Sequence, residues 1–315
     1  MVSGDQRIKP LLAYGNEEPL SAEDVHLPGV ELMYEDYGDA VVEMRTGVLD
    51  MHTAPEDPID YAPVPCDPQL NSCRPYEPEP ECPWWDEDVD DLVGPLLTTR
   101  WGQGCPYNGL LPSKSKCRDD DDCGWARPVS GCITVAMAQV FNFWEGPMGL
   151  NFEYNRMLPT YTTSDAHRSR AASPMNVQML YEFIGNRVSM NYGCENSWAI
   201  PDVINGVFRQ QGFTNGGDKH DYDWVRVRDD INAGRPVIMQ ARRTRTSNWH
   251  VWVIDGFHTQ RINCRSRIWQ HMNWGWNGRA NDWYTVGQWR PLDNRGNHTG
   301  TNYSQFQKTF TNIAP

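Results

Sequence analysis

The order of elements in this sequence predicts an α+β domain behind an acidic, proline-rich front segment. Three observations lead there. Residues 131–144, GCITVAMAQVFNFW, are apolar nearly all round, as a buried helix must be. β-type runs crowd the last third of the chain, after the helical patterns, which is the α+β order. The composition also breaks sharply near residue 90, from proline and carboxylate to aromatic and aliphatic side chains.

Residues 7–14 read as a strand entering a turn. In residues 28–45, Leu32, Met33, Tyr37, Val41 and Met44 recur near the helical period. Residues 55–83 hold nine prolines in 29 positions with acidic side chains between them, a stiff extended linker open to proteases. Residues 86–91 close it with an acidic cluster. From Gly94 onward the pattern is that of one compact unit. Helices are expected over 131–144, 175–188, 197–211 and 224–233, the last ended by Gly234. Strands are expected over 236–240, 249–257, 267–274 and 283–286. No internal repeat is present.

The charge divides with the composition. Residues 1–94 carry 4 basic and 23 acidic side chains, and residues 95–315 carry 24 and 18, so the halves stand at −19 and +6 within a net −13. Opposite halves of one chain attract. An acidic front repels phosphates, which argues against nucleic acid as its partner. The longest apolar stretch, residues 133–140, is too short for a membrane span.

Nine cysteines occur, at 66, 73, 82, 105, 117, 123, 132, 194 and 264. Six of the first seven lie in loops rich in Pro, Asp and Gly, where cross-links stabilise poorly packed chain, so export to an oxidising compartment is expected. The first residues have neither the basic start nor the apolar stretch of a secretion signal, and the chain is expected to begin downstream of one. Cys117 and Cys123 do not have zinc-finger spacing, and a disulfide is the expectation there. Asp119 to Asp122 match no calcium loop and read as a solvated acidic loop. Asn297 and Asn302 stand in glycosylation-type triplets.

Cys132 differs from the other cysteines because it opens the apolar helix. A thiol there meets unpaired backbone N–H groups and the positive end of the helix dipole, which favour thiolate. A neighbouring imidazolium lowers a cysteine pKa further, from about 8.5 to as low as ~4. Among the eight histidines, His250 begins the apolar strand HVWVIDGF directly after a polar loop, where an imidazole can be held against a helix N-terminus. His258 and His271 are its rivals. Asn273, in the run HMNWGW, offers an amide oxygen that could fix the ring's tautomer, and Trp274 could shield that bond from water. Each of these side chains could equally be core.

These motifs resemble a family. GCITVAMAQVFNFWEGP is similar to the nucleophile helix of the streptopain family of bacterial papain-like cysteine peptidases. Residues 94–103 with CPYN at 105–108 resemble the opening of that family's mature domain. Residues 250–257 look like its catalytic-histidine strand, residues 271–278 like its Trp-rich turn, and residues 302–315 like its C-terminus. Residues 2–14 resemble the last part of its inhibitory propeptide. Three features depart from the pattern: Val251 after the histidine and bulky Trp249 before it, the Cys- and Asp-bearing approach to the nucleophile at 113–130, and the Cys-bearing linker.

The resemblance implies a papain-like catalytic domain, a helical part bearing the nucleophile helix packed on an antiparallel sheet. It implies three regions: 1–54 as the C-terminal part of a propeptide, 55–91 as a linker with the maturation site, and 92–315 as the catalytic domain. Cys132 would be nucleophile, His250 general base and then acid, Asn273 the orienter and Trp274 the ring shield, although either could hold the imidazole. Gln103 would be a second oxyanion donor beside the Cys132 N–H. The expected activity is that of a secreted or envelope-bound bacterial cysteine endopeptidase zymogen. Proteins or peptides are its substrates and its own front segment is its inhibitor, with no metal or organic cofactor. Hydrophobic residues two positions before the cut are expected. Two other readings use the same residues: a transglutaminase-type acyltransferase, told apart by product mass, and a non-catalytic binding protein that keeps the fold.

Overall fold

The computed structural model describes residues 13–14, 89–114, 117, 123–146, 152–167, 173–245, 247, 249–262, 265–291, 296–297 and 302–315. The helix expected over 28–45, the proline-rich linker, the four aspartates at 119–122 and four of the nine cysteines (66, 73, 82 and 264) lie outside these residues.

Helix α1 is Cys132–Phe143, and all of Ile133 to Phe141 is buried, as its all-round apolar sequence requires. Gly131 starts it at φ 85°, a left-handed position suited to glycine, and a Cβ there would come within 2.9 Å of Met190. Helix α2, Met175–Arg187, packs on α1 with Val177, Leu180, Tyr181 and Ile184 inward. The third expected helix starts late: Ile200 is extended, residues Pro201–Val203 form one 3-10 turn, and α3 is only Ile204–Gln210. Helix α4, Trp224–Asn232, is capped by Asp223, whose carboxylate accepts from the Val225 N–H at 2.9 Å.

The strands are β1 (Ala13–Tyr14), β2 (Val89–Val93), β3 (Asn215–Asp221), β4 (Val237–Arg242), β5 (Trp249–Ile262), β6 (Arg265–Asn273), β7 (Asp282–Thr285), β8 (Gly296–Asn297) and β9 (Gln305–Ala314). The main sheet runs β3-β9-β4-β5-β6-β7, and every pairing in it is antiparallel. Strand β2 lies on β5 beyond the end of β4, pairing Val89 with Arg261 through Val93 with Phe257. A separate two-stranded ladder joins β1 to β8. Four strands fall where expected, with β5 longer than its apolar run. Strands β3 and β9 had no alternating signal strong enough to mark them.

Side-chain alternation along β5 divides the core in two. Val251 and Val253 face α1 and α2, in a cluster with Met137, Phe141 and Leu180. Trp252 and Ile254 face the other way, toward Met272, Trp274 and Tyr284. Buried side chains of this size each contribute about 1.5–3 kcal/mol. The β5–β6 register slips at Asp255, and the freed carboxylate accepts from Leu97 N at 3.1 Å and binds His271 Nδ1 at 2.6 Å. The Asp255 carbonyl also accepts from Leu96 N, at 2.7 Å. This ties the chain leaving β2 to the centre of the sheet.

Two disulfides, Cys105–Cys123 and Cys117–Cys194, brace the approach to α1. Cys117 and Cys123 are therefore both oxidised, but with other partners than each other. Asn302 is buried and structural: its amide accepts from Trp289 N and donates to the Gly287 carbonyl, at 2.7 and 2.6 Å.

Candidate active site

The sequence around Cys132 folds as a strap clamped from both sides. Ser130 N donates to the Gln103 carbonyl at 2.9 Å, and Val129 N donates to the Gly193 carbonyl at 3.1 Å. Ser197 Oγ donates to the Val129 carbonyl at 2.6 Å. The strap thus delivers Cys132 to the first turn of α1 with the backbone of Gln103 alongside.

Helix α1 meets β5 where the histidine stands. The Cys132 thiol lies in a backbone environment: burial pushes its pKa up to about 11, while hydrogen bonds from the backbone at Val251, Ile133 and Cys132 itself pull the other way. The sequence led to an expectation of thiolate, and this structure holds a protonated thiol because desolvation exceeds the help of the helix terminus. Val251 is the next residue after His250, so the Cys132 thiol lies on the backbone that adjoins the histidine.

The His250 ring is buried among aromatic rings. It stacks on Trp252 and Trp274, each with centroids 5.7 Å away, and leans on Trp276 at 4.8 Å and Tyr303 at 5.6 Å. Its Nε2 donates to the Trp274 carbonyl oxygen at 3.2 Å. That bond fixes the Nε2–H tautomer and leaves the Nδ1 lone pair available. Burial pushes the imidazole pKa down to about 3, with the Trp274 carbonyl opposing. Both shifts favour the neutral forms of the two side chains.

Asn273, the orienter expected from the sequence, is buried but its amide is engaged away from His250. Its Oδ1 accepts from Gln139 Nε2 at 3.2 Å and from Gly275 N at 3.3 Å, and its Nδ2 donates to the Thr99 carbonyl at 2.7 Å. It ties α1, β6 and the strap before Gln103 together. Within the Trp-rich turn the imidazole is met by Trp274, through its ring and its carbonyl, and by the ring of Trp276, not by Asn273. Gly275, at φ 75°, lets this turn sit on Val135, where a Cβ would stand 3.0 Å from a Val135 methyl. The rival histidines have carboxylate partners of their own: His258 with Asp90, and His271 with Asp255, each at 2.6 Å.

Sequence reasoning passed over Trp252, Trp276, Tyr303 and Gln139. Trp252 follows His250 at the two-residue strand period, so it had to share its face. Gln139 is a buried amide two turns from Cys132 in an otherwise apolar helix, and its Oε1 also accepts from Trp101 N, at 3.3 Å. That oddity of composition was the available signal.

A cysteine that opens a helix packed on an antiparallel sheet, against the backbone next to a strand-borne histidine, is the arrangement of the papain-like class of fold. Comparison with known proteins agrees. The model of the Peptidase C10 family matches residues 148–284, a stretch that contains His250, Asn273 and Trp274. Streptopain of Streptococcus pyogenes serotype M1 is 23% identical over 266 residues, covering 71% of this chain and 63% of the relative. Among solved structures, active interpain A cysteine protease of Prevotella intermedia aligns with 71% of this chain and 96% of its own, at TM-score 0.53 and 23% identity. A fragment of prointerpain A, the pro-form from the same organism, aligns with 100% of this chain and 91% of its own, at TM-score 0.57 and 20% identity. The chain is thus similar to Peptidase C10 proteins over part of its length, the family model covering residues 148–284, which do not include Cys132.

Proposed function

We propose that the protein is the zymogen of a secreted cysteine endopeptidase, with Cys132 as nucleophile and His250 as general base and acid. The observation that carries this reading is the Cys132 thiol at the N-terminus of α1, against the backbone of Val251 and so beside His250, whose Nε2 is committed to Trp274. With Nε2–H engaged, Nδ1 takes the thiol proton, and the thiolate attacks a peptide carbonyl. The resulting oxyanion is met by the Cys132 N–H, with Gln103 as the second donor. Imidazolium then protonates the leaving amine, which departs and leaves a thioester. Water deprotonated by His250 cleaves the thioester and restores the thiol. Trp274, by ring and carbonyl, is the group that orients His250. Asn273 supports the same turn from behind.

Latency belongs to the same proposal. The pair is neutral as it stands, the −19 front segment complements the +6 remainder, and residues Ala13–Tyr14 already pair with Gly296–Asn297. Residues 1–54 would be the inhibitory part, 55–91 the linker that is cut and 92–315 the catalytic unit, with β2 extending that unit back to Val89. Export is supported by the two disulfides.

The test is an intact-mass time course of the purified chain beside its Cys132→Ala variant, under mild reduction. Loss of the front segment in the parent alone is the expected result. If neither changes, a trace of another protease is added. A cut parent that still hydrolyses no peptide would overturn the reading.

A further inference from the structure

The mouth of the β4–β5 hairpin, immediately before His250, carries a group of side chains that the reaction does not use. Arg242 is the last residue of β4 and pairs across the ladder with Trp249. Its guanidinium lies over the Trp249 ring at 4.1 Å and faces the Phe306 ring at 5.8 Å, while the two rings meet edge-on at 6.2 Å. Phe306 reaches this position through a register shift in the β4–β9 ladder between Gln240 and Arg242, and it adopts φ 51° to do so. A left-handed phenylalanine is strained, and bulges of this kind re-aim side chains beside active sites. Phe306 is nonetheless 52% exposed, so burial does not account for the strain.

Arg242 is only partly committed. Nη1 donates to the Arg245 carbonyl at 3.1 Å, and Nε is buried without an acceptor among the described residues, so the outer edge of the guanidinium is the part open to a ligand. The turn that carries it is pre-formed, because Ser247 Oγ accepts from the N–H groups of both Arg243 and Thr244 at 3.1 Å. Arg243 and Arg245 add positive charge on the same hairpin, and Arg245 is exposed. A guanidinium laid flat on an indole keeps its edge for a planar carboxylate, which it binds with two parallel hydrogen bonds.

The position suits a peptide in the cleft. The Cys132 thiol sits at the Val251 backbone, and Trp249 is two residues back on the same face of β5. At about 3.4 Å per residue that is about 7 Å, the reach of roughly two residues of an extended peptide. The chain also holds a matching sequence of its own: Glu77, Glu79, Glu81 and residues 86–88 are acidic, in the linker where the maturation cut is proposed.

We infer that Arg242, seated between Trp249 and Phe306, forms a specificity subsite for an Asp or Glu side chain of the substrate within about two residues of the scissile bond. The inference rests on the peptidase reading above. It adds a preference for one acidic side chain near the cut to the hydrophobic residue expected two positions before it, and the acidic linker of this chain offers such side chains.

The test uses the full chain after processing, with fluorogenic peptides that differ only by Glu, Gln or Lys at each of the three positions on either side of the cut. At one position Glu should exceed its isostere Gln by about tenfold in kcat/KM, as charge-assisted pairs of about 1.5 kcal/mol or more predict. Arg242→Gln should bring that Glu/Gln ratio near one. Arg242→Lys, which keeps charge but loses the planar fork, should keep part of it. Added salt should shrink the ratio in the parent. Thermal unfolding of each variant shows that the comparison is between folded proteins. Hydrolysis with no position favouring Glu, or a ratio unmoved in both variants, overturns the subsite alone. Hydrolysis of no peptide at all overturns the peptidase reading and the subsite with it.

Discussion

At the scale of single residues, the His250 environment favours a neutral ring. Three indoles, one phenol and a single carbonyl surround it, and none of these stabilises a buried imidazolium as well as water does. Its pKa accordingly falls from 6.5 to about 3. An unfolded chain binds a proton there below about pH 6.5, which the folded chain refuses until about pH 3, so stability falls as pH drops through that window. From pH 7 to pH 4 this amounts to about 3 kcal/mol. His250→Gln cannot titrate, so urea unfolding at the two pH values should show the variant losing about 3 kcal/mol less than the parent. Equal acid sensitivity of the two proteins would sink this account. The sequence made His250 a candidate because a histidine opening an apolar strand is conspicuous. It could not decide between Asn273 and Trp274, since the group that meets the ring is a backbone carbonyl and every residue has one.

At the scale of elements, legibility followed the strength of local pattern. Helix α1 was plain because it is apolar on every side, and β5 because Val251, Val253 and Ile254 sit in a continuous apolar run. Strand β3 was hidden: NGGDKHD has no apolar alternation, and its place is set by pairing with β9 at the sheet edge. The late start of α3 comes from Pro201, which is suited to the first turn of a helix and not to its interior. The disulfide partners were hidden for a different reason, since Cys117 and Cys194 are 77 residues apart and only the fold brings them together. Closing a loop of that length stabilises by about 4 kcal/mol on chain-entropy grounds. Cys117→Ser with Cys194→Ser should therefore lower Tm by about 10 °C under non-reducing conditions. An unchanged Tm would mean that the bridge adds nothing to the packing around the strap.

At the scale of the whole molecule, the acidic front segment gives way to the residues proposed as the catalytic unit near β2. Composition puts the change near residue 91, but hydrogen bonding puts it earlier. Val89–Val93 covers β5 from Phe257 to Arg261, Asp90 binds His258 at 2.6 Å, and the chain then runs to the Asp255 anchor at Leu96 and Leu97. Removing β2 would uncover five residues of strand edge, a template for unwanted pairing. A chain already paired in one sheet is also poorly placed to enter a cleft as an extended substrate, because its backbone groups are spent. The cut should therefore fall before Val89, within the proline- and acid-rich residues 55–88, and the processed protein should keep β2. N-terminal sequencing joined to intact mass of the processed chain reads this directly. A first residue at any position from 55 to 89 is the expected result. A mature chain that begins at Gly94 or later would show that β2 is shed with the front segment, and would make its pairing with β5 a feature of the precursor only.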